Sequence, residues 1–556
     1  MKFIKNVSNH LSLVKVVPAF YMLFFALMTT IPAFTKGMFK LNYDGQFHLA
    51  RFQSIYEALA HGQLPPLVNL IGLSQHGLAV NGMYPWLTGL IFVIPKFLTS
   101  NYLHALFLGF ILLNLVTMAS CYFLLKAIIS KKWVRFLGVA LYQFNAYHLS
   151  LMYSRVSLGE ALAYAFLPIV LLGCLKIWKN APFGWAYLGL GMGLIANTHV
   201  LSLLLAVIML CLFEIVRAFK RELKLVELSA LLKAGIAAIL VAFYSLTNIF
   251  RLSAANSMIN PSGPWLTIKP EALWTALLNN TINEDPLSFN MGPLPTALVL
   301  ILTIMLFLNK RGHWRIWAGL AFTTFIMTFS WFPWQLVGSQ IHFFSIQFMG
   351  RVLSFTSLFL TMAVASYFEE ERFNHQILSY CTVALLLITG VSAVHTYHST
   401  QTNDGYKIWA NSAQIKESIF HSFLSSDYAP TISKTNRQSA LVLSQGVTLQ
   451  AKKQTYNKMQ LRLTTKSERY YQLPLARYNG VHYQLVINGK KIKRLTEKSL
   501  TVFLKKGNNT LTLSSTAAGT DYLSLTVSVL AFLLTMGIIV RPKELSWFLK
   551  QKFAKK

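Results

Sequence analysis

Long apolar runs separated by short polar segments dominate the first 395 residues of the chain. A membrane-crossing helix needs about 20 mostly apolar residues, and thirteen runs approach that length. They lie near residues 16–35, 84–98, 104–125, 133–149, 158–178, 183–197, 199–216, 233–250, 293–308, 314–331, 351–367, 376–395 and 522–540. The run at 84–98 is short and is bounded by Pro85 and Pro95, so we predict that it is partial or re-entrant. The pattern predicts a polytopic α-helical membrane protein with about twelve crossings plus partial helices.

The pattern changes between residues 396 and 520. Polar residues dominate there, and several short segments alternate apolar and polar positions, as half-buried strands do. These segments are 441–449, 459–463, 483–487, 500–504 and 509–513. Asn488-Gly489 is a strong hairpin turn, and Gly507-Asn508 is a second turn signal. We predict a small all-β domain, a sandwich or jelly roll, placed before the last helix.

Charge fixes the predicted sidedness. The formal net charge is +31, and the basic residues lie mostly in short stretches between apolar runs. That is the positive-inside pattern of cytoplasmic loops, so no nucleic-acid partner is expected. Both termini are basic, which predicts that both are cytoplasmic in a multi-pass protein of the cytoplasmic membrane. Because each crossing carries the chain to the other side of the membrane, five segments are then predicted to be outside: residues 36–83, 150–157, 251–292, 332–350 and 396–520.

The same pattern divides the chain into three parts. Residues 1–395 form a transmembrane domain whose first outside loop covers 36–83. Residues 396–520 form the extracytoplasmic β-rich domain, and residues 521–556 form the final helix and a basic cytoplasmic tail.

Acidic residues are scarce in the first 200 positions, where only Asp44, Glu57 and Glu160 occur. An acid beside an apolar segment costs several kcal/mol unless it is paired or hydrated, so such residues are functional candidates. A helix starting near Asp44 would place His48 and Arg51 on the same face, one and two turns on. The alternative is that Asp44 only caps that helix.

Three further groups lie at predicted outer ends of helices. Arg155 and Glu160 could bind a ligand or simply pair with each other. Gln347 precedes Arg351, and an arginine at a helix N-terminus opposes the helix dipole unless an anion sits there. His199 is a lone histidine, a residue that is more often structural. Together these groups suit a phosphate carried on a lipid, with guanidinium groups holding the phosphate and the lone aspartate acting as base. No phosphate-binding glycine loop or dinucleotide fingerprint occurs.

Several short motifs resemble known membrane families. The run 44–51, followed by Gly62-Gln63-Leu64-Pro65-Pro66 and Tyr84-Pro85, resembles the first outside loop of GT-C type membrane glycosyltransferases. Residues 140–147, Ser154-Arg155, Gly159-Glu160, Leu167-Pro168 and the segment 347–351 are similar to the YfhO family. They are equally similar to bacterial membrane proteins filed under a pyruvoyl-tetrahydropterin-synthase-related domain. The stretch from Leu473-Pro474 through Lys506-Gly507 resembles the YfhO C-terminal β-domain.

The resemblance implies transfer of a sugar from a polyprenyl-phosphate donor to a cell-envelope polymer, such as a teichoic acid, at the outer membrane face. Asp44 would be the catalytic base, and Arg155 and Arg351 would bind the phosphate. His48, Arg51 and Glu160 would shape the pocket, and His199 and Gln347 would complete the substrate-binding set. A donor-making synthase and a flippase would work alongside the enzyme.

The chain departs from the GT-C pattern in two places. Gly45 stands where many of these enzymes carry a second acid, and Met349 stands where an aromatic residue is expected. A bound divalent metal is not expected, because it would lack carboxylate oxygens, and no cofactor is expected besides the lipid-linked sugar substrate. Two other function classes stay open: a transporter or flippase for a lipid-linked glycan, and a non-catalytic membrane scaffold.

Overall fold

The computed structural model describes residues 13–73, 76–259, 261, 263–340, 346–371, 374–400, 407–421, 427–431, 441, 443–492 and 499–540. The basic start and the basic tail, from which the cytoplasmic location of both termini was inferred, lie largely outside these residues.

Helices make up most of the described chain. The α-helices of seven or more residues are α1 (Leu13–Thr30), α2 (Tyr43–Ala60), α3 (Tyr102–Lys126), α4 (Lys132–Gln143), α5 (Leu158–Trp178), α6 (Gly184–Ala196), α7 (Val200–Phe219), α8 (Leu225–Val241), α9 (Phe243–Ala255), α10 (Pro270–Leu278), α11 (Pro293–Leu308), α12 (Trp314–Ile326), α13 (Trp334–Gln340), α14 (Leu353–Glu370), α15 (Gln376–Ser399), α16 (Ser412–His421) and α17 (Gly519–Val540). A seven-residue 3₁₀ helix, Ile31–Gly37, follows α1 directly.

Seven helices within the described residues are long and apolar enough to cross a membrane, or eight if the bent pair α8 and α9 counts as one span. These two helices meet at an angle of 73°. Other predicted runs form shorter helices, among them α6 and α11. The run 133–149 is broken where Asn145 caps a new helical turn after α4. The predicted total of about twelve crossings therefore stays a prediction.

The run at 84–98, predicted to be partial, forms the short helix Leu87–Phe97, which consists of three successive pieces: a 3₁₀ turn, an α-helical turn and a second 3₁₀ turn. They cover Leu87–Gly89, Leu90–Val93 and Ile94–Phe97. Pro95 lies in the third piece, where its missing N–H and ring limit helix continuation.

Several long helices turn apolar side chains outward. Leu212 on α7, Ile236 on α8, Ile388 on α15 and Leu534 on α17 are all exposed. Soluble proteins rarely show apolar surface on this scale. The exposed faces are compatible with a multi-pass protein that packs these helices against lipid.

Loops that were predicted to share a membrane side contact one another. The Lys131 ammonium donates to the backbone oxygen of Glu371 at 2.7 Å, and the His313 N–H donates to the Glu370 carboxylate at 2.9 Å. All four residues belong to predicted cytoplasmic segments. The predicted outer segments meet at the opposite end of the helices, around the candidate site. Which end faces the cytoplasm stays a prediction.

The C-terminal β region is an antiparallel two-sheet structure. Its strands are β3 (Val447–Thr455), β4 (Lys458–Thr465), β5 (Arg469–Ala476), β6 (His482–Ile487), β7 (Lys490–Ile492), β8 (Ser499–Leu504) and β9 (Gly507–Thr516). One sheet has the order β3-β4-β9-β6-β7, and the other pairs β5 with β8. Alternate side chains of β4 and β9 are buried, as the two-residue pattern predicts. Asn488 and Gly489 have φ values of 49° and 80°, as a tight hairpin turn requires.

The β-sandwich starts at Val447, later than the predicted boundary at residue 396. Between the two, the chain packs against the first loop: β1 (Phe39–Leu41) pairs antiparallel with β2 (Ile408–Ala410). The sandwich contacts the same loop, since the N–H of Ala476 donates to the backbone oxygen of His76 at 2.7 Å. Helix α2 is consequently buried by protein over much of its surface.

Glycines allow α6 to approach its neighbours closely. A Cβ atom on Gly189 would lie 2.7 Å from the Cβ of Ala237, and one on Gly193 would lie 2.7 Å from the Cβ of Val241, both on α8. The two glycines are four residues apart, so they form one stripe along α6. Small-residue stripes of this kind let membrane helices pack backbone to backbone.

We expect Gly193→Ala to destabilise the protein by about 1–3 kcal/mol, because the added methyl group overpacks a rigid helix contact. Gly319→Ala is the matched control, since no atom lies within 4 Å of a Cβ added there in α12. The control should be neutral, or stabilising by up to about 1 kcal/mol through helix propensity. Thermal unfolding in detergent measures both, and equal melting temperatures would contradict the close contact.

Candidate functional site

A buried carboxylate bridges two arginines from distant parts of the chain. Glu160 lies in the first turn of α5, and its Oε2 accepts from Arg155 Nη1 at 3.1 Å and from Arg351 Nε at 3.2 Å. Its Oε1 accepts from the Tyr147 hydroxyl at 2.5 Å. All four side chains are buried. The pairing of Arg155 with Glu160, left open by the sequence, is therefore observed, and Arg351 joins it.

Asp44 lies at the open side of this cluster. Its Oδ2 is 3.9 Å from Arg155 Nε, and its side chain is 49% exposed whereas that of Arg155 is 8% exposed. The Asp44 side chain is half exposed, so solvent limits the rise in pKa that burial causes, and Arg155 and Arg351 act to lower this pKa. Burial lowers the pKa of Arg155, but Glu160 and Asp44 outweigh it and the net pKa is raised. A solvent-reachable carboxylate beside a fixed guanidinium group is placed to accept a proton from a bound hydroxyl group.

The cap of α2 is Asn42 and not Asp44. The Asn42 side-chain oxygen accepts from the Gly45 N–H at 2.9 Å, which satisfies one of the free donors of the helix start. Its amide group donates to the backbone oxygens of Ser154 and Arg155 at 3.0 and 2.7 Å. The alternative that Asp44 only caps the helix is therefore wrong. Asn42 also fastens the first loop to the chain beside Arg155.

Two strained backbone positions lie beside the arginines. Val156 has a φ of 52° and Gln347 has a φ of 63°, and for a β-branched residue such as valine this is a genuine outlier. Strain of this kind costs about 1–3 kcal/mol per residue and persists only where surrounding contacts enforce it. Val156 follows Arg155 directly and is fully buried. The strained backbone at Val156 thus lies directly beside Arg155 and helps to direct its guanidinium group.

Arg351 lies in a short turn just before α14, as predicted, but the expected anion is part of the protein. Its partner is Glu160, and its Nη2 also donates to the Gln347 side chain at 3.0 Å. The Phe348 ring lies between the two arginines, 4.8 Å from Arg155 Cζ and 5.0 Å from Arg351 Cζ. The expectation that a ligand must neutralise Arg351 is therefore corrected. Gln347 acts here by orienting this arginine.

The predicted stripe of Asp44, His48 and Arg51 divides into two environments. His48 and Arg51 are buried and contact each other, with 3.2 Å between Nδ1 and Nη1. Arg51 also donates to the backbone oxygen of Pro85 at 2.9 Å and lies 4.3 Å above the Tyr84 ring. Burial lowers the pKa of Arg51 to about 10 and lowers that of His48 well below its usual value. Among the described residues, no carboxylate lies within ion-pair distance of Arg51.

His199 acts as the N-cap of α7. The Ser202 N–H donates to its Nδ1 at 3.3 Å, and its ring lies 5.9 Å from that of Tyr84. Tyr84 also lies 5.4 Å from the His48 ring. A Cβ on Gly159 would be 2.3 Å from the Tyr84 hydroxyl, so glycine is needed for this packing. The observed contacts of His199 are those of a structural cap at the edge of the site.

Asp427 is an acid near the site that the sequence did not indicate. Burial raises its pKa, and the charge of Asp44 raises it further. A bridge between Met258 and Pro430 holds the segment 427–431 in place. No local pattern could have signalled this residue, because its position depends on a contact between chain segments far apart in sequence.

Gly45 packs closely beside the site. A Cβ at this position would lie 2.5 Å from Leu41 Cδ1 and 3.2 Å from Val156 Cγ1, so a larger side chain would require Leu41 to move. Within the described part of the chain, no group of three or more His, Cys, Asp or Glu could hold a metal ion.

A groove leads away from the cluster between α5, α7 and α14. Its first part is lined by Ala163, Tyr164, Leu167, Ser202, Leu205, Arg351, Ser354 and Phe355. Its second part is lined by Leu167, Val170, Leu171, Cys174, Ala206, Met209, Leu210, Phe213, Phe355, Leu358 and Phe359. Leu167 and Phe355 line both parts. The two narrow parts therefore adjoin, with Arg351 in the lining of the first and an apolar lining in the second.

The wall formed by α7 is loosely attached to the other helices. Of its 20 residues, Leu205 and Ala206 are the buried ones, and both line the groove. The groove spans residues 163–174 of α5, which is about 16 Å at 1.5 Å per residue.

Comparison of the chain with protein-family models, with curated proteins and with solved structures found no match. The residues and their geometry are therefore the basis for a functional interpretation.

We expect Glu160→Gln to destabilise the protein by about 3–5 kcal/mol, because it leaves two buried guanidinium groups without their shared carboxylate. Glu271→Gln is the control, since Glu271 is exposed in the first turn of α10 and should change stability by about 1 kcal/mol or less. The melting temperatures of both variants and of the wild type are measured by thermal unfolding in detergent. If both variants have the melting temperature of the wild type, Glu160 does not hold the arginines.

Proposed function

We propose that the protein is a membrane glycosyltransferase, which moves a sugar from a polyprenyl-phosphate donor to a cell-envelope polymer. The observation that carries the proposal is the half-exposed Asp44 carboxylate, 3.9 Å from an arginine whose other side is paired with Glu160. A proton acceptor and a fixed positive charge thus lie side by side at the open side of one cluster.

The chemistry follows from these two charges. Asp44 accepts the proton of an acceptor hydroxyl group, and the acceptor oxygen attacks the anomeric carbon of the donor sugar. The bond from that carbon to the phosphate oxygen breaks, and the configuration inverts. Arg155 stabilises the negative charge on the departing phosphate, and its fixed position avoids reorganisation during the reaction. Arg51, a buried cation without a described carboxylate partner, adds to the positive potential of the site.

The groove supports a lipid-linked donor. A polyprenyl phosphate combines one apolar chain with an anionic head, and the groove combines an apolar length with Arg351 at its end. Since few residues of α7 are buried, this helix is the side from which a membrane lipid would enter. Soluble sugar nucleotides would gain nothing from such a groove.

The proposal includes a topology. The protein has about twelve crossings of the cytoplasmic membrane, with both termini in the cytoplasm and the β-sandwich outside. The two sets of mutually contacting loops support this alternation. A donor synthase and a flippase would supply the lipid-linked sugar at the outer face.

We expect Asp44→Asn to reduce sugar addition by about 10²–10⁴-fold, the usual contribution of a general base, while the protein still accumulates. The measurement is the glycosyl composition of envelope polymers from cells that lack the chain and carry the wild type or a variant. Asp285→Asn is the matched control, because Asp285 is exposed and accepts one backbone N–H, from Leu287 at 3.0 Å. Asparagine can accept the same bond.

The same experiment separates the other function classes. A flippase would leave the lipid-linked glycan on the inner leaflet in the Asp44→Asn cells, and a scaffold would be unaffected by this substitution. Either result would contradict the proposed transfer reaction.

We expect Ala206→Phe to raise the KM for the lipid-linked donor by about tenfold or more, because an added ring fills the groove and overpacks its wall. Leu212→Phe on the exposed face of the same helix is the control and should leave the KM within about twofold, since lipid-facing apolar exchanges disturb no protein contact. The KM of each variant is obtained from transfer rates in lipid nanodiscs at several donor concentrations. Melting temperatures recorded in parallel show whether each variant is stably folded. Equal KM values in two stably folded variants would exclude the groove as the donor site.

A further inference from the structure

The β-sandwich carries a charge that membrane topology does not explain. Between residues 441 and 520 the sequence has fourteen Lys and Arg against two Glu. Basic residues in cytoplasmic loops set the orientation of membrane helices, but this region is predicted to be outside. A concentrated positive potential on a folded domain indicates an anionic partner.

Two exposed aromatic side chains lie together on the two-stranded sheet. Tyr470 of β5 is the cross-strand partner of Phe503 of β8, and their ring centroids are 5.3 Å apart. Tyr470 is 70% exposed and Phe503 is 45% exposed. Exposed aromatic pairs offer a flat apolar surface for the apolar faces of sugar or polyol units.

Basic side chains lie in the turns next to this pair. Strand pairing places Arg469 opposite Leu504 and Thr465 opposite Gly507, so the turns at 466–468 and 505–506 are neighbours. We call the resulting surface the distal patch, and it consists of Lys466, Tyr470, Phe503, Lys505 and Lys506, all exposed; the Arg469 side chain lies on the other face of β5, against the Tyr471 ring. Glu468 is the one acidic residue in these two turns, so the patch is strongly positive.

The patch lies at the end of β5 away from the membrane-bound part. The other end of β5 contacts the first loop, where the His76 ring hydrogen-bonds to the backbone oxygen of Pro474 at 2.7 Å. Six residues separate Tyr470 from Ala476, about 20 Å of extended strand. A surface this far from the loop at the site is poorly placed for a lipid surface, and it suits a long molecule that also reaches the site.

We propose that the distal patch binds an anionic polyhydroxylated polymer, whose sugars or polyols stack on the aromatic pair and whose phosphate or carboxylate groups pair with the basic side chains. The inference deepens the proposed function and rests on it for the role of this polymer as acceptor. Held at the patch, a flexible polymer presents its hydroxyl groups to Asp44 at a raised local concentration.

The test uses the full chain in nanodiscs of uncharged lipid, with biolayer interferometry as the readout. The probe is poly(glycerol phosphate), and neutral dextran, inorganic phosphate and vesicles of anionic phospholipid serve as comparison probes. We expect the wild type to bind poly(glycerol phosphate) with an affinity that falls as salt is added, and to bind the other three probes weakly.

The variants separate the patch from general charge. Lys505→Gln with Lys506→Gln should weaken binding by about tenfold, as expected for two exposed charge contacts, and Tyr470→Ala should weaken it by a similar factor. Lys490→Gln with Lys491→Gln removes the same charge from exposed positions of β7 and should change the affinity by less than about twofold. Equal losses in the two lysine pairs would overturn the proposal, as would preferential binding to the vesicles or to dextran.

Asp44→Asn makes the two hypotheses distinguishable, because it should bind the polymer as the wild type does. Normal polymer binding by the patch variants, together with loss of sugar addition in Asp44→Asn, would remove the docking site and leave the transferase. Lost binding in the patch variants, together with full sugar addition by Asp44→Asn, would leave the docking site and remove the proposed chemistry.

Discussion

The arrangement of the site depends on one carboxylate shared by two guanidinium groups. Glu160 holds Arg155, which is close in sequence, and Arg351, which arrives from another helix. Without this carboxylate, two positive charges would be buried next to each other in a low-dielectric environment, at a cost that few folds could sustain. The shared pairing therefore joins the start of α5 to the start of α14 and fixes the direction in which Arg155 faces Asp44.

Strain and close packing around this pairing have a common physical origin. Val156 and Gln347 adopt left-handed conformations, which are tolerated because the contacts of the neighbouring buried residues Arg155 and Ile346 hold the backbone in place. Gly45 lets α2 lie close to the Leu41 and Val156 side chains, and Gly159 leaves room for the Tyr84 ring. The site is thus built from backbone held in place by contacts on several sides, and one half-exposed acid is left available for chemistry.

The sequence predicted much of the architecture because the spacing of hydrophobic residues along the chain shows which face of a helix or strand is buried. The long apolar runs became helices, and four of the alternating segments became β4, β6, β8 and β9, whereas the segment 441–449 overlaps β3 only from Val447 onward. It missed β5, where Pro474 interrupts the pattern and argues against a strand, and it did not indicate where the long runs break. Breaks such as the 73° bend between α8 and α9 depend on packing against neighbours, which composition does not record.

The conspicuous members of the site were found for an equally physical reason, since charged residues beside apolar segments stand out. The sequence could not say how they pair, and it assigned to a ligand the anion that Glu160 supplies. Asn42, Tyr147 and Asp427 were not identified as site residues because neutral polar groups, and an acid in an ordinary polar stretch, carry no signal of their own. Their roles arise from contacts between distant segments.

The pairing of β1 with β2 has a consequence for biosynthesis. The first loop emerges early, but its strand partner follows almost all of the membrane helices in the chain. At roughly 5–20 residues per second, the ribosome reaches that partner only after some tens of seconds. During this interval the loop that carries Asp44 lacks its strand partner, so the final arrangement of this loop forms only after the later segments have been synthesised.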